Sequence, residues 1–143
     1  MTSVPERPII IDTGPLVAFL MGSESRHDWA VEQFKSLPAP FLTCEPVLTE
    51  AYHLLSRVRE GPRQFFQLLT RGVVKVDFAL MAEAGALERL IRKYQDLPMS
   101  LADACLVRLA ERHPSAMVLT LDRHFSIYRK HGRQPIVAIM PQE

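Results

Sequence analysis

Three consecutive isoleucines, Ile9 to Ile11, run directly into Asp12-Thr13-Gly14-Pro15, and this junction constrains the fold more than any other segment. Successive side chains of a strand point to opposite faces, so a run that is β-branched at every position suits a strand covered on both sides. The residues that follow end the strand and open a helix, with Asp12 placed to cap it and Pro15 in its first turn. A second segment has the same grammar: Met117 to Leu121 is apolar apart from Thr120, and Asp122 closes it. Short apolar strands alternating with helical stretches need crossover connections. The expected class is therefore α/β, in three layers, with a mostly parallel sheet of about five strands.

The other elements follow from punctuation and periodicity. Helices are expected over Pro15–Leu20, Arg26–Leu37 and Pro46–Arg59, then from Gly61-Pro62 to about Gly72, then over Leu80–Gln95, Ser100–His113 and Arg123–His131, with Gly132 ending the last. Strands are expected at Phe41–Cys44, Val73–Val76, Met117–Leu121 and Ile136–Ile139, with no hairpin dipeptide between any two of them. The 143 residues carry no repeat and no Gly/Ser linker, so one domain spanning 1–143 is expected.

Composition narrows the function. Hydrophobic residues make up 48% and charged residues 23%, which is globular rather than disordered. The net charge is only +1, from 17 basic and 16 acidic residues, so any nucleic acid must be held by local patches rather than by overall charge. Cys44 and Cys105 have no metal-type spacing and are too few for a disulfide scaffold. They read as small core residues of a reduced, cytoplasmic protein. The longest clean apolar run, Leu16 to Met21, falls far short of the ~20 residues of a membrane span. Glu6 and Asp12 interrupt the region where a signal peptide would be apolar.

The acidic residues carry the chemistry. Ligands of open α/β sheets bind beyond the carboxyl ends of the strands, where strand order reverses; Asp12 and Asp122 stand at two such ends. Each also makes an ordinary helix cap. Asp103 lies on the apolar side of its helix with Leu106, Val107 and Ala110, opposite Arg108, Glu111 and Arg112. A carboxylate there needs a cation or donors, although Ser100-Leu101-Ala102-Asp103 also spells a capping box. Glu50 sits at the margin of a stripe formed by Val47, Ala51, Leu54 and Val58, where a side chain reaches a cleft or simply meets solvent. Asp96, before Leu97-Pro98, reads as a helix-end acid. Gathered together, such carboxylates repel one another, and a hard divalent cation resolves the conflict. Oxygen-only ligation suits Mg²⁺ or Mn²⁺ rather than Zn²⁺. His27, His53, His113, His124 and His131 are scattered.

These segments resemble the PIN-domain nucleases, in particular the short stand-alone type typified by VapC toxins of toxin–antitoxin pairs. The carriers are Ile9-Ile10-Ile11-Asp12-Thr13-Gly14-Pro15-Leu16, Val47-Leu48-Thr49-Glu50-Ala51, the stretch from Asp96 through Asp103 to Ala104, and Leu119-Thr120-Leu121-Asp122-Arg123-His124-Phe125. They occur in order over essentially the whole chain. The resemblance implies a five-stranded parallel sheet in the order 3-2-1-4-5 and four catalytic acids around divalent metal: Asp12, Glu50, Asp103 and Asp122. It implies Asp12 and Asp103 as central ligands, Asp122 at a second ion or its water shell, and Glu50 ligating through water or steering the attacking water. Thr120 is implied to hold metal-bound water, and Asp96 is a recurrent accessory acid. RNA is the implied substrate, cut to leave a 5′-phosphate; an antitoxin protein and a two-fold homodimer are the implied partners. Arg123 and His124, next to Asp122, are the expected backbone contacts, with Arg57, Arg59 and Arg63 a second basic cluster. Leu68, Leu69, Leu87, Leu90 and Ile91 are the apolar residues expected to be in surplus for an interface.

Rival readings fare worse. A haloacid-dehalogenase-like phosphatase needs a second Asp two positions after the first, and position 14 is Gly. A receiver-type module wants adjacent acids on the first strand and a Lys on the last, which Ile136-Val137-Ala138-Ile139 does not supply. A catalytically inert PIN-fold module binding RNA or protein is the alternative that stays open.

Overall fold

The isoleucine run forms the strand that its composition demands. In the computed structural model, which describes residues 6–142, β1 (Ile9–Ile11) is the centre of a parallel sheet and all three side chains are fully buried. Its neighbours are β2 (Phe41–Thr43) on one side and β4 (Met117–Leu119) on the other. Beyond them lie β3 (Val74–Val76) and β7 (Val137–Ile139), giving the order β3-β2-β1-β4-β7. A small antiparallel ribbon, β5 (Arg129–Lys130) with β6 (Gln134–Pro135), comes between β4 and β7 in sequence. The fifth strand of the main sheet is thus the last in the chain, and the expected 3-2-1-4-5 order holds for the five sheet strands.

The helices are α1 (Thr13–Leu20), α2 (His27–Ser36), α3 (Glu45–Leu55), α4 (Gly61–Thr70), α5 (Ala84–Lys93) and α6 (Leu101–Arg112). Asp12 and Ser100 cap α1 and α6 with their side-chain oxygens, as their positions predict. The chain leaves β1 toward β2 on one side and returns to β4 on the other. The crevice at the carboxyl ends of β1 and β4 is therefore the switch point. There Ile11 pairs with Leu119, and the Asp12 N–H donates to the Leu119 carbonyl at 3.0 Å. Asp12 and Thr120 are consequently the first residues beyond two adjacent strand ends.

Some expectations fail for identifiable reasons. The helix expected over Arg123–His131 is a 3₁₀ turn at Arg123–Ser126 followed by the ribbon. The Arg129 guanidinium takes the carbonyls of Ser126, Ile127 and Tyr128 at 2.9, 3.0 and 3.1 Å, oxygens that a continuing helix would use itself. His131 and Gly132 have φ of 50° and 77°, and the Arg133 N–H closes the turn on Lys130. Such a left-handed pair is hairpin chemistry, so His131-Gly132 is the dipeptide that the sequence reading missed. In α3 the buried row is Val47, Ala51 and Leu55. Leu54, expected inside, is 48% exposed, because the helix is turned to show Glu50 and Leu54 to the crevice instead. Leu87 and Leu90, expected as interface surplus, are buried within the chain's own core; Leu68, Leu69 and Ile91 are partly buried against it.

Candidate active site

The crevice is a cavity of about 500 Å³ lined by Asp12, Thr13, Gly14, Glu50, Leu54, Pro98, Ser100, Asp103, Leu121, Asp122 and His124. All four carboxylates expected from the sequence face it. Asp12, Asp103 and Asp122 each offer an oxygen such that the three oxygens lie within 4.8 Å of one another. Glu50 stands apart from that cluster, exposed on α3 in the cavity wall. Asp96 is exposed in the turn after α5 and is not among the lining residues.

Neutral donors hold the clustered acids in place. Asp12 accepts from the Thr13 N–H at 2.7 Å and from the Thr120 hydroxyl at 2.8 Å. Thr120 is fully buried and also accepts the Asp122 N–H at 2.9 Å, so one hydroxyl ties two acids together. Asp122 accepts the His124 N–H at 2.9 Å, and the His124 Nδ1 lies 3.3 Å from the same carboxylate oxygen. Asp103 accepts from the Tyr128 hydroxyl at 3.0 Å, while its own N–H donates to the Ser100 hydroxyl at 3.0 Å. The capping and site readings of Asp103 therefore coexist: the amide serves the cap and the carboxylate faces the cluster.

Burial and crowding leave an electrostatic signature. Asp12 is 7% exposed, and its pKa is pushed up to about 6, chiefly by burial and further by Asp103 and Asp122, against the lowering hydrogen bonds from Thr120 and Thr13. Burial likewise raises Asp103, with Asp122 adding to the rise and Tyr128 and Ser100 opposing it. Among the described residues, no Lys or Arg lines the cavity. Three carboxylates without a cationic side chain among them, all offering oxygen, make a donor set for a hard divalent ion. The Thr13 hydroxyl, buried in the same wall, has no partner among the described residues. It is a spare donor of the kind that an occupant of the cavity satisfies.

The basic residues are divided among several cavities. His124 lines the acid cavity, whereas Arg123 lines an adjoining one with Arg26, Met140 and Pro141; Leu121 is the wall common to both. Arg59 lines a separate groove, and Arg63 is paired with Glu60 at 2.5 Å. Sequence reasoning passed over Thr13, Tyr128 and Arg26. Tyr128 follows Phe125 at helical spacing and reads as plain core; nothing local reveals where its hydroxyl ends. Thr13 had a signal, since it is a polar residue at the mouth of a fully buried strand.

A family description, PIN domain, matches residues 9–130. This chain belongs to the PIN-domain family. A curated PIN relative, described as ribonuclease VapC26 of Mycobacterium tuberculosis, is 33% identical over 128 residues, which is 87% of this chain and 94% of that protein. The crystal structure of Mycobacterium tuberculosis VapC20, described as a sarcin–ricin loop cleaving toxin, matches with a TM-score of 0.70 and 26% identity, covering 89% of this chain and 99% of that one. The sheet order and the flanking helices are therefore those of a PIN domain of the VapC type.

Proposed function

We propose that this PIN domain is a Mg²⁺- or Mn²⁺-dependent endoribonuclease, the toxin of a toxin–antitoxin pair, acting in the cytoplasm as a homodimer. The observation that carries this reading is the Asp12, Asp103 and Asp122 cluster, oxygens within 4.8 Å, in a cavity that no described Lys or Arg lines. The names of the two relatives, a ribonuclease and an RNA-cleaving toxin, supply the substrate class. Two free, buried cysteines suit a reducing compartment. Among the described residues no helix is long and apolar enough to cross a membrane.

Asp12, Asp103 and Asp122 would hold the ion, with Thr120 keeping the first and third in register. When bound, a divalent ion neutralises charge on the scissile phosphate and lowers the pKa of a water. Glu50, across the cavity on α3, orients the attacking water and takes its proton. Attack in line at phosphorus forms the bond to the water oxygen and breaks the bond to the 3′ oxygen, which takes up a proton from solvent, leaving a 5′-phosphate. His124 donates to a non-bridging phosphate oxygen, and Arg26 with Arg123 hold the neighbouring phosphate beyond Leu121.

The reading is tested with a structured RNA, purified protein and Mg²⁺ or Mn²⁺. Cleavage should need the metal, stop with EDTA and fall by at least a hundredfold in Asp12→Asn. Metal-independent cleavage, or full activity in that variant, defeats it. Growth arrest on expression, relieved by the product of the adjacent reading frame, tests the toxin–antitoxin assignment.

A further inference from the structure

Tyr128 lies behind the acid cavity and has no part in the roles given above. Its ring is fully buried against Tyr94 and Phe125, with centroids 5.0 and 5.2 Å away. A buried tyrosine must give its hydroxyl a partner, and this one donates to Asp103 Oδ2 at 3.0 Å. The bond joins the segment after Asp122 to the first turn of α6, so it links the two elements that carry Asp122 and Asp103.

The type of donor matters. An ammonium group in this place would neutralise Asp103 and remove the electrostatic reason for a cation. A phenol instead satisfies one oxygen and leaves the carboxylate its charge. Thr120 does the same for Asp12. The two most buried acids of the cluster are thus each oriented by a buried hydroxyl. Partners of this kind around ligating groups set metal affinity through ligand orientation.

We propose that Tyr128 is a positioning residue of the divalent-ion site, its hydroxyl fixing the rotation of Asp103 so that the carboxylate's remaining lone pairs meet those of Asp12 and Asp122. The inference rests on the metal-dependent reading above. It makes the aromatic at position 128 part of the site through its oxygen and not through its ring.

Tyr128→Phe keeps the ring and removes only the oxygen. Free Mn²⁺ is read directly by electron paramagnetic resonance, without any RNA or turnover. The dissociation constant for Mn²⁺ should rise about tenfold or more, within the 10–100-fold range typical of such partners. Tyr94→Phe, which loses a bond to the Arg129 N–H but touches none of the acids, should bind Mn²⁺ as the wild type does. A purely structural role for the hydroxyl would lower the melting temperature and leave Mn²⁺ affinity unchanged, and that result overturns the proposal. If the wild type takes up no Mn²⁺, or uptake survives Asp12→Asn, the ion-site reading itself falls and takes this inference with it; the two failures are therefore distinct. On the unmutated chain, isotope-labelled tyrosine gives an independent reading. Mg²⁺ should move the Tyr128 ring resonance and not that of exposed Tyr52, and an unmoved Tyr128 signal also overturns the proposal.

Discussion

Asp12 does three things at once: it caps α1, accepts from Thr120, and faces two other carboxylates. The result is a pKa of about 6 where 3.8 is usual. The folded state therefore keeps a proton that the unfolded state has lost between those values. Stability falls as pH rises through this window, and the full penalty, on the order of 3 kcal/mol, is present above about pH 6. In metal-free protein, the stability of Asp12→Asn relative to wild type should thus climb between pH 4 and 7 in urea titrations. A flat difference would show that Asp12 ionises normally. Added Mn²⁺ should stabilise wild type more at pH 7.5 than at pH 5, since a ligating carboxylate must first lose its proton. Asp103 allows a second comparison. Ser100→Ala removes the cap acceptor and should cost about 1 kcal/mol. Asp103→Asn should leave metal-free stability unchanged or slightly improved, because it relieves repulsion, while metal-dependent cleavage falls by orders of magnitude. Full cleavage by Asp103→Asn would remove that residue from the site.

Among the elements, the α3–α4 connection leaves no room for a side chain at Gly61. Glu60 adopts a φ of 65°, and a Cβ on Gly61 would collide with the Leu55 carbonyl oxygen. That atom belongs to the backbone at the end of α3, so it cannot swing aside. Gly61→Ala should destabilise the protein by about 1–3 kcal/mol, as overpacking does, and a thermal melt indistinguishable from wild type would contradict this. Since α3 presents both Glu50 and Leu54 to the cavity, the same change should also weaken cleavage. Gly14 is a milder case: an added Cβ would meet the Leu121 side chain at 3.0 Å. That leucine can give way, but it is the wall between the acid cavity and the Arg26–Arg123 cavity.

At the scale of the molecule, burial of Leu87 and Leu90 moves the surplus apolar surface elsewhere. Tyr52 and Phe66 are 39% and 51% exposed and stack edge to face at 5.8 Å on neighbouring helices, beside Leu48 and Leu69. Aromatic residues are enriched at association surfaces relative to the rest of a protein's surface, and contiguous apolar patches mark such surfaces. Light scattering at micromolar concentration should report twice the mass of the chain, and Phe66→Asp should reduce it to one chain with the fold intact. A wild type that stays monomeric at high micromolar concentration rules out the homodimer.

The strand order and the set of four acids came with the resemblance to the PIN family; the amino-acid order by itself determined the α/β class, the strand that carries Asp12 and the helix caps. These are local properties: β-branched runs need cover on both faces, and Asp or Ser before a helix caps it wherever the helix goes. It also specified Asp12 as a strand-end residue, because its apolar run stops there, whereas β4 ends at Leu119 and Asp122 lies beyond Thr120 and Leu121 as the cap of the following turn. Only the tertiary structure decided which carboxylates share space. That depends on the Ile11–Leu119 register and on α6 packing beneath it, contacts made across about a hundred residues of chain that no local pattern encodes. The same holds for the hydroxyl of Tyr128, which is a core aromatic by spacing and a partner of Asp103 by fold. The region after Asp122 was misread because Arg129 captures the carbonyls and His131-Gly132 turns the chain. There the helical spacing of Phe125 and Tyr128 was real, but the backbone bonds went to a side chain instead of to a helix.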